Sequence, residues 1–368
     1  ARKNKMAIIK KMDKLTEKLL NYKKINSGKW GKCHCQGMTM DKEKNYIYYS
    51  FTTKLVKTDL KGNVLGYVDN ITGHLGCIDF NDEDGKVYAS LEYKNDEIGR
   101  EILRKLGYSD ENVKDGFYIA IFDAEKINRN GMDAETDGVM KTAYLKTVYN
   151  DFTGITKDGN KRIYGCSGID GLAIGPDFGN DGNKKYLYVA YGIYGDVNRT
   201  DNDNQVILQY DIELLNNTAK IHKQSEMHTS GPVERNKLFL LTGNTTYGVQ
   251  NLEYDEFTGD FIASVYVGQK KNFPNYTTFV IDGSIAPINV NGEKFLTLKK
   301  CGLTRDKISG FYQYLGGVEI GSMGMHSVGN GLFYIVNPQW EDGDNLYVYS
   351  ELYRIDESKI DALFEKVD

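Results

Sequence analysis

Short apolar strands that begin at a Gly or a His recur five times along the chain. Each leads through a turn into an aromatic-rich strand. The five segments begin at His34 (HCQGMTMD), His74 (HLGCIDFN), Gly168 (GIDGLAIG), Gly248 (GVQNLEYD) and Gly324 (GMHSVGNG). Runs of this length, bounded by Gly, Asn and Asp turns, are typical of strands rather than helices. The pattern therefore predicts an all-β protein built from a repeated unit.

The first repeat contains four strand-like stretches, QGMTM, NYIYYSFTT, KLVKTDL and GNVLGYVD. The second repeat begins about 40 residues later, which matches the length of one β-propeller blade. The second repeat also carries an insert at residues 95–116, in which Ile98, Ile102 and Leu106 fall on one side of a helix. We therefore expect a helical insert in blade 2.

On these repeats the chain resembles five-bladed β-propellers in general, over about residues 34–356. Six blades are the alternative, if residues 232–247 or 300–322 form a degenerate blade. The resemblance implies one propeller domain. The sequence pattern predicts a helix and lead-in over residues 1–33 before it and, from the stretch ESKIDALFEKVD, a helix over residues 357–368 after it.

The chain ends also carry a pattern. Residues 6–20 place apolar side chains such as Leu15 and Leu19 at helical spacing. The fifth repeat lacks an obvious outer strand, and residues 22–33 are the predicted source of one. A blade completed in this way would close the ring and leave no free strand edge.

Aligned on their third residue, the five starts give a polar ring and an apolar ring. The polar ring contains Gln36, Gly76, Asp170, Gln250 and His326. The apolar ring, two residues later, contains Met38, Ile78, Leu172, Leu252 and Val328. Inner strands of a propeller line its axis, so the apolar ring is read as packing. The polar ring varies between blades, and we expect Gln36, Gln250 and His326 to bind a ligand there. The alternative is that these side chains bind ordered water.

Three of the five histidines fall in these equivalent strands, which suggests a metal site. The predicted ligands are His34, His74, His326 and Asp170. Imidazoles with one carboxylate suit zinc or another transition ion, whereas amide and carboxylate oxygens suit calcium. The remaining histidines, at 222 and 228, are predicted to lie at the surface.

Known five-bladed propellers include glycoside hydrolases, and that resemblance implies a pair of carboxyl groups near the axis. The candidates for catalysis are Asp79, Asp170 and Glu253. Asp79 and Glu253 have the opposite strand parity to Asp170, so we expect them to face neighbouring blades rather than one shared pocket. Their alternative role is hydrogen bonding between blades.

Composition narrows the class of protein. The net charge of −5 is mild and its signs are interspersed, so an extended nucleic-acid groove is not expected. No apolar run reaches the roughly 18 residues of a membrane span. The five cysteines are expected to be free, buried thiols. Abundant Tyr and Asn favour an exported or envelope-associated bacterial protein.

Two functions are consistent with these features. The first is an axial pocket that binds or hydrolyses a small polar ligand, with a glycan as the favoured class and zinc or calcium as a candidate cofactor. The second is a non-enzymatic scaffold, whose protein partner docks on the Tyr-rich rim or on the helical insert.

Overall fold

The computed structural model describes residues 13–31, 33–300, 308–341, 345–359 and 361–368. These residues form a five-bladed β-propeller, as the repeats predict. Blade 1 contains strands Cys35–Met40, Tyr46–Phe51, Lys54–Asp59 and Val64–Asp69, with Met132–Asp133 at its outer edge. Blade 2 contains His74–Asn81, Lys86–Tyr93, Gly116–Asp123, Met140–Tyr144 and Lys220–Ile221.

The next two blades differ in their outer parts. Blade 3 contains Cys166–Pro176, Lys185–Ile193, Asn204–Asp211 and Asn236–Leu241, extended by Glu293–Phe295 and Ile288–Val290. Blade 4 contains Thr245–Asp255, Asp260–Val267 and Thr278–Ile281. Isolated bridges from Thr278 to Phe311 and from Ile281 to Leu298 take the place of its fourth strand. Within the described ranges, residues 232–247 and 300–322 therefore form no sixth blade.

Blade 5 contains Met325–Gly329, Leu332–Glu341 and Asn345–Ile355, and both ends of the chain complete it. Lys24–Asn26 pairs with Asn345–Ile355, so residues 22–33 do supply an outer strand. Phe364–Lys366 pairs with the same strand, and the helix predicted over residues 357–368 is wrong. The apolar residues that suggested that helix are buried against blade 5 instead, as Leu363 and Phe364 are 0% and 3% exposed.

Helices are few. Residues 13–20 are helical, and the rest of the predicted N-terminal helix lies outside the described residues. The insert helix Glu97–Lys105 confirms the prediction for blade 2. The other helices are Lys146–Thr153 and Ile212–Thr218, with 3₁₀ turns at Ala124–Lys126 and Ile163–Gly165. A short hairpin pairs Tyr314–Leu315 with Val318–Glu319. In the part of the chain described, no helix has the length and apolar character needed to cross a membrane.

The apolar core lies between blades rather than at the centre of the ring. Each of five buried clusters joins two neighbouring blades, for example Tyr48 and Leu55 of blade 1 with Ile78 of blade 2. Hydroxyls on equivalent second strands add a hydrogen bond to a backbone carbonyl across the interface. These bonds run from Ser50 to Gly76 (2.6 Å), from Ser90 to Asp170 (2.7 Å) and from Ser264 to Ile320 (2.6 Å).

The pairing of each inner strand with the second strand of its blade shows which residues of the five inner strands are equivalent. The apolar ring consists of Met38, Ile78, Leu172, Leu252 and Met325, paired with Tyr49, Ala89, Val189, Ala263 and Ile335. Met325, not Val328, therefore holds the fifth position. Blades 1 to 4 have a register shift just before this ring, whereas in blade 5 the shift follows His326. A bulge adds a residue that sequence alignment cannot locate.

The ring just before this apolar ring closes the axis. Its members are Gly37, Cys77, Gly171, Asn251 and Gly324. A Cβ at Gly37 would lie 2.9 Å from Ile78 N, so glycine lets the strands approach closely. The Asn251 amide fills the remaining space: its Nδ2 donates to Gln36 O and Ser322 O, both at 2.9 Å, and its Oδ1 accepts from Cys77 Sγ at 3.3 Å. One side chain thus ties blade 4 to blades 1, 2 and 5.

The thiols are free where they are described. Cys35, Cys77 and Cys166 are buried, as predicted, and Cys33 is partly exposed. Cys301 lies outside the described residues.

The axial closure predicts a large effect of Asn251→Ala. The substitution removes the donors of two buried carbonyls, so unfolding free energy should fall by about 2 to 4 kcal/mol. Urea unfolding of the variant and of the exposed control Asn198→Ala measures this difference. The control should change stability by about 0.5 kcal/mol or less. Equal losses in the two variants would contradict the role of Asn251.

Candidate functional site

Asn251 separates the predicted site residues into two groups. Asp79, Glu253 and His326 each lie two residues after the ring that closes the axis, in their own strands. We call these three residues the triad. Asp170 and Gln250 precede the axial closure and lie at the opposite mouth of the ring. The triad lines a cavity of about 380 Å³, which we call the triad cavity.

The triad brings together side chains from blades 2, 4 and 5. One polar atom from each of Asp79, Glu253 and His326 lies within 4.8 Å of the other two, and all three residues are buried. Strand pairing places the triad residues at equivalent positions of blades 2, 4 and 5. Thr39 and Ala173 hold the same position in blades 1 and 3. The parity argument separated Asp79 from Asp170 correctly but missed that Asp79 and Glu253 share a site.

The two carboxyl groups also hold neighbouring blades together. Asp79 Oδ2 accepts from Ile174 N of blade 3 at 2.8 Å, and Glu253 Oε1 accepts from Ser327 N of blade 5 at 3.3 Å. Asp79 Oδ1 accepts from its neighbour Phe80 N at 2.9 Å. The predicted role between blades and a position on the cavity wall therefore coexist in the same residues.

A directed chain of hydrogen bonds runs through the triad. Lys44 Nζ lies 3.2 Å from His326 Nε2, and a lysine ammonium can only donate, so Nε2 accepts. The proton of the neutral ring then sits on Nδ1, which lies 3.4 Å from Thr39 Oγ1 and 3.6 Å from Glu253 Oε1. Thr39 Oγ1 in turn donates to Asp79 Oδ1 at 3.1 Å. Lys44 and Asp79 therefore compensate each other through two neutral side chains.

Burial sets the protonation of this site. It raises the pKa of Asp79 to about 6, against hydrogen bonds from Ile174 N and Phe80 N that lower it. Burial, and then the charge of Asp79, raises the pKa of Glu253 well above its ordinary range. Burial, and then Lys44, lowers the pKa of His326 well below its ordinary range. The raised pKa favours the protonated, hydrogen-bond-donating form of Glu253, and the lowered pKa favours the neutral imidazole of His326.

The rest of the cavity wall mixes rings, charges and one piece of the N-terminal helix. Phe80 and Tyr254 contribute partly buried rings. The charged side chains are Lys42, Lys44, Lys185, Asp82 and Glu256. Leu15 and Thr16 come from the helix at residues 13–20. The sequence analysis missed Thr39 and Lys44. Thr39 follows Met38 as Asp79 follows Ile78, so the repeats already contained its signal, whereas Lys44 lies in a turn outside the repeated strands.

The chain matches no protein-family model and no curated protein. Solved structures similar to it include the PQQ domain of a pyranose dehydrogenase from Coprinopsis cinerea in its holo form. That domain is 9% identical, with 86% of this chain and 81% of that chain covered and a TM-score of 0.39. The iodide and calcium structures of a carbohydrate-active enzyme of family AA12 from Trichoderma reesei are also 9% identical. Each comparison covers 86% and 80% of the two chains, with TM-scores of 0.34 and 0.36. Similarity at this level assigns neither a family nor an activity.

The opposite mouth holds a second buried polar group. Lys94 Nζ lies 2.8 Å from Glu92 Oε1 and donates to Ser167 O at 3.0 Å, while Glu92 Oε2 accepts from Ile169 N at 2.9 Å. Asp170 accepts a long bond, 3.4 Å, from Gln250 Nε2. Burial, and then the charge of Glu92, raises the pKa of Asp170 well above its ordinary range. Gln36 gives its carbonyl to Asn251, and its side chain is partly buried.

The predicted metal set of His34, His74, His326 and Asp170 does not assemble. Within the described ranges, the triad is the one group of three such ligands close enough to hold an ion. His34 and His74 come before the ring of residues that closes the axis, whereas His326 comes after it. The axial closure therefore separates the two histidines from His326. Burial lowers the pKa of His74 to about 3, assisted by Lys94.

The two remaining histidines are structural rather than exposed. His222 is 0% exposed, and Thr142 Oγ1 lies 2.8 Å from both His222 Nδ1 and His228 Nε2. His222 Nε2 lies 3.0 Å from the Tyr93 hydroxyl. The surface prediction was wrong because the segment that carries these residues folds back onto blade 2 and pairs with it.

The burial of His222 predicts acid sensitivity. Its pKa falls to about 3 in the folded chain, mainly through burial, against about 6.5 unfolded. The unfolded state therefore binds the proton first, and stability falls as pH drops from about 6.5 towards 3, by up to about 1.4 kcal/mol per pH unit. Urea unfolding across this range should show a shallower loss in His222→Gln than in the wild type. Identical slopes would contradict the prediction.

Proposed function

We propose that the protein binds a small polyhydroxylated ligand, a sugar or short glycan, in the triad cavity. The observation that carries this proposal is the convergence of Asp79, Glu253 and His326 from three blades on one cavity wall. A volume of about 380 Å³ lies within the range of small-molecule sites, roughly 300 to 1,000 Å³.

The lining chemistry favours a sugar over a purely apolar molecule. A sugar ring presents hydroxyls on its edge and C–H groups on its face. The protonated form of Glu253, which burial favours, can donate to a hydroxyl, and the partly buried rings of Phe80 and Tyr254 can cover an apolar face.

The same residues suit hydrolysis of a glycosidic bond. Glu253 would protonate the leaving oxygen as the glycosidic bond breaks, and Asp79 would stabilise the positive charge that develops on the sugar. A water molecule would then add to the charged carbon and give up a proton to the Glu253 carboxylate. Three hydrogen bonds already occupy the Asp79 oxygens, which favours an electrostatic role over a nucleophilic one.

Glu253→Gln tests this proposal, with Glu256→Gln as the control at the exposed rim of the same cavity. Calorimetric titration with neutral mono- and disaccharides should show binding to the wild type, about tenfold weaker binding to Glu253→Gln and unchanged binding to the control. Any hydrolysis should fall by about 100-fold or more in Glu253→Gln, because an amide cannot donate the proton. Failure of every saccharide, neutral or acidic, to bind the wild type would exclude the proposal.

A second candidate is a divalent cation held by the triad. The distances between the three donor atoms favour it, and an imidazole with carboxylates suits zinc. In the hydrogen-bonded arrangement described, His326 Nδ1 carries a proton that a cation would have to displace. Elemental analysis after dialysis against zinc should give about one equivalent for the wild type, and His326→Gln should lose it. Equal metal content in the two proteins would exclude a cation at the triad.

A further inference from the structure

Lys44 occupies an unusual place for a turn lysine. It lies in the tight turn between the first two strands of blade 1, where the Asp41 carboxylate accepts from Glu43 N, Asn45 N and Tyr46 N. Its φ is +55°, in the left-handed region that glycine and asparagine favour. A lysine in such a turn ordinarily extends into water. Lys44 is instead 8% exposed, and its side chain reaches into the triad cavity.

The ammonium of Lys44 is poorly neutralised for a buried charge. Among the residues that the structure describes, its one hydrogen-bond acceptor is His326 Nε2, which belongs to a neutral ring. Across the same residues, no carboxylate lies within ion-pair distance of it. Asp79 balances its charge indirectly, through His326 and Thr39, and Asp82 interacts with it through space without forming an ion pair. A buried ammonium without a direct counter-charge is costly, and an anionic oxygen offers the strongest partner for it.

The other lysines on the cavity wall are more exposed than Lys44. Lys42 and Lys185 also line the cavity. The two remaining carboxylates on its wall, Asp82 and Glu256, belong to exposed residues, and Glu256 lies 3.3 Å from Lys185. The most buried positive charge in the cavity therefore has no carboxylate within ion-pair distance in the described part of the chain.

We propose that Lys44 is the receptor for an anionic group, so that the ligand of the triad cavity is an acidic sugar carrying a carboxylate or a phosphate. This inference rests on the proposed function and narrows its substrate class. Two of the three N–H groups of an ammonium remain for the anion while His326 accepts the third. The hydroxyls of the same ligand then meet Glu253 and the rings of the cavity.

Calorimetric titration of four probes into the wild type and three variants measures the affinities that test the inference. The probes are glucose, glucuronate, glucose 6-phosphate and inorganic phosphate, and the variants are Lys44→Met, Lys44→Arg and Lys42→Met. The wild type should bind at least one acidic sugar about tenfold or more tightly than glucose. Lys44→Met should lose that preference. Lys42→Met, an exposed lysine on the same cavity wall, should keep it.

The remaining outcomes separate this inference from the function on which it rests. Lys44→Arg keeps the charge and should keep most of the preference, which guards against misfolding of Lys44→Met. Tighter binding of glucuronate than of glucose 6-phosphate indicates a carboxylate ligand, and the reverse order indicates a phosphate ligand. Equal binding of glucose and both acidic sugars overturns the role of Lys44 and leaves the sugar site intact. Loss of the preference in Lys42→Met as well as in Lys44→Met also overturns it. If no probe binds, both the inference and the proposed function fail.

Discussion

The constraint on which the rest of the structure depends is the crowding of five strands at the axis. The backbone carbonyls of Gln36 and Ser322 meet at the centre of the ring, and each needs a donor. Glycines bring the strands together, and the Asn251 amide supplies two donors and one acceptor at the point where they meet. Only a side chain with both kinds of group can satisfy two carbonyls and a thiol at once. The ring is therefore closed by polar pairing, while its apolar core lies between the blades.

The candidate site follows from that closure. The side chains two residues beyond the axial closure, on the same face of the inner strands, line the triad cavity. Asp79 and Glu253 anchor neighbouring blades through backbone N–H groups and still reach this cavity. The burial that raises the pKa of these carboxyl groups also keeps His326 neutral, so the site holds one ammonium, one neutral ring and acids of unequal strength.

Repeats in the sequence were sufficient to predict the number of blades, the insert helix and the closing strand from the N-terminal region. They failed in blade 5, where the sequence alignment was wrong by three residues. It matched His326 with Gly76, whereas strand pairing matches His326 with Asp79, and the bulge before Ile78 has no counterpart before Met325. The helix predicted near the C-terminus failed because a free strand edge offered better pairing for Leu363 and Phe364. Lys44 could not be predicted, since its direction depends on a turn conformation that a lysine seldom adopts.

The segment that closes the ring also braces the site. Just before Lys24–Asn26, the helix at residues 13–20 places Lys18 Nζ on Glu43 O at 3.2 Å and on Asn45 Oδ1 at 2.6 Å, on either side of Lys44. Its Thr16 accepts from Asn330 in blade 5. Release of this segment would free the turn that holds the cavity ammonium. Any molecule that binds Lys44 in its buried position therefore also stabilises the closed ring, so occupancy of the cavity and fastening of the chain ends are thermodynamically linked.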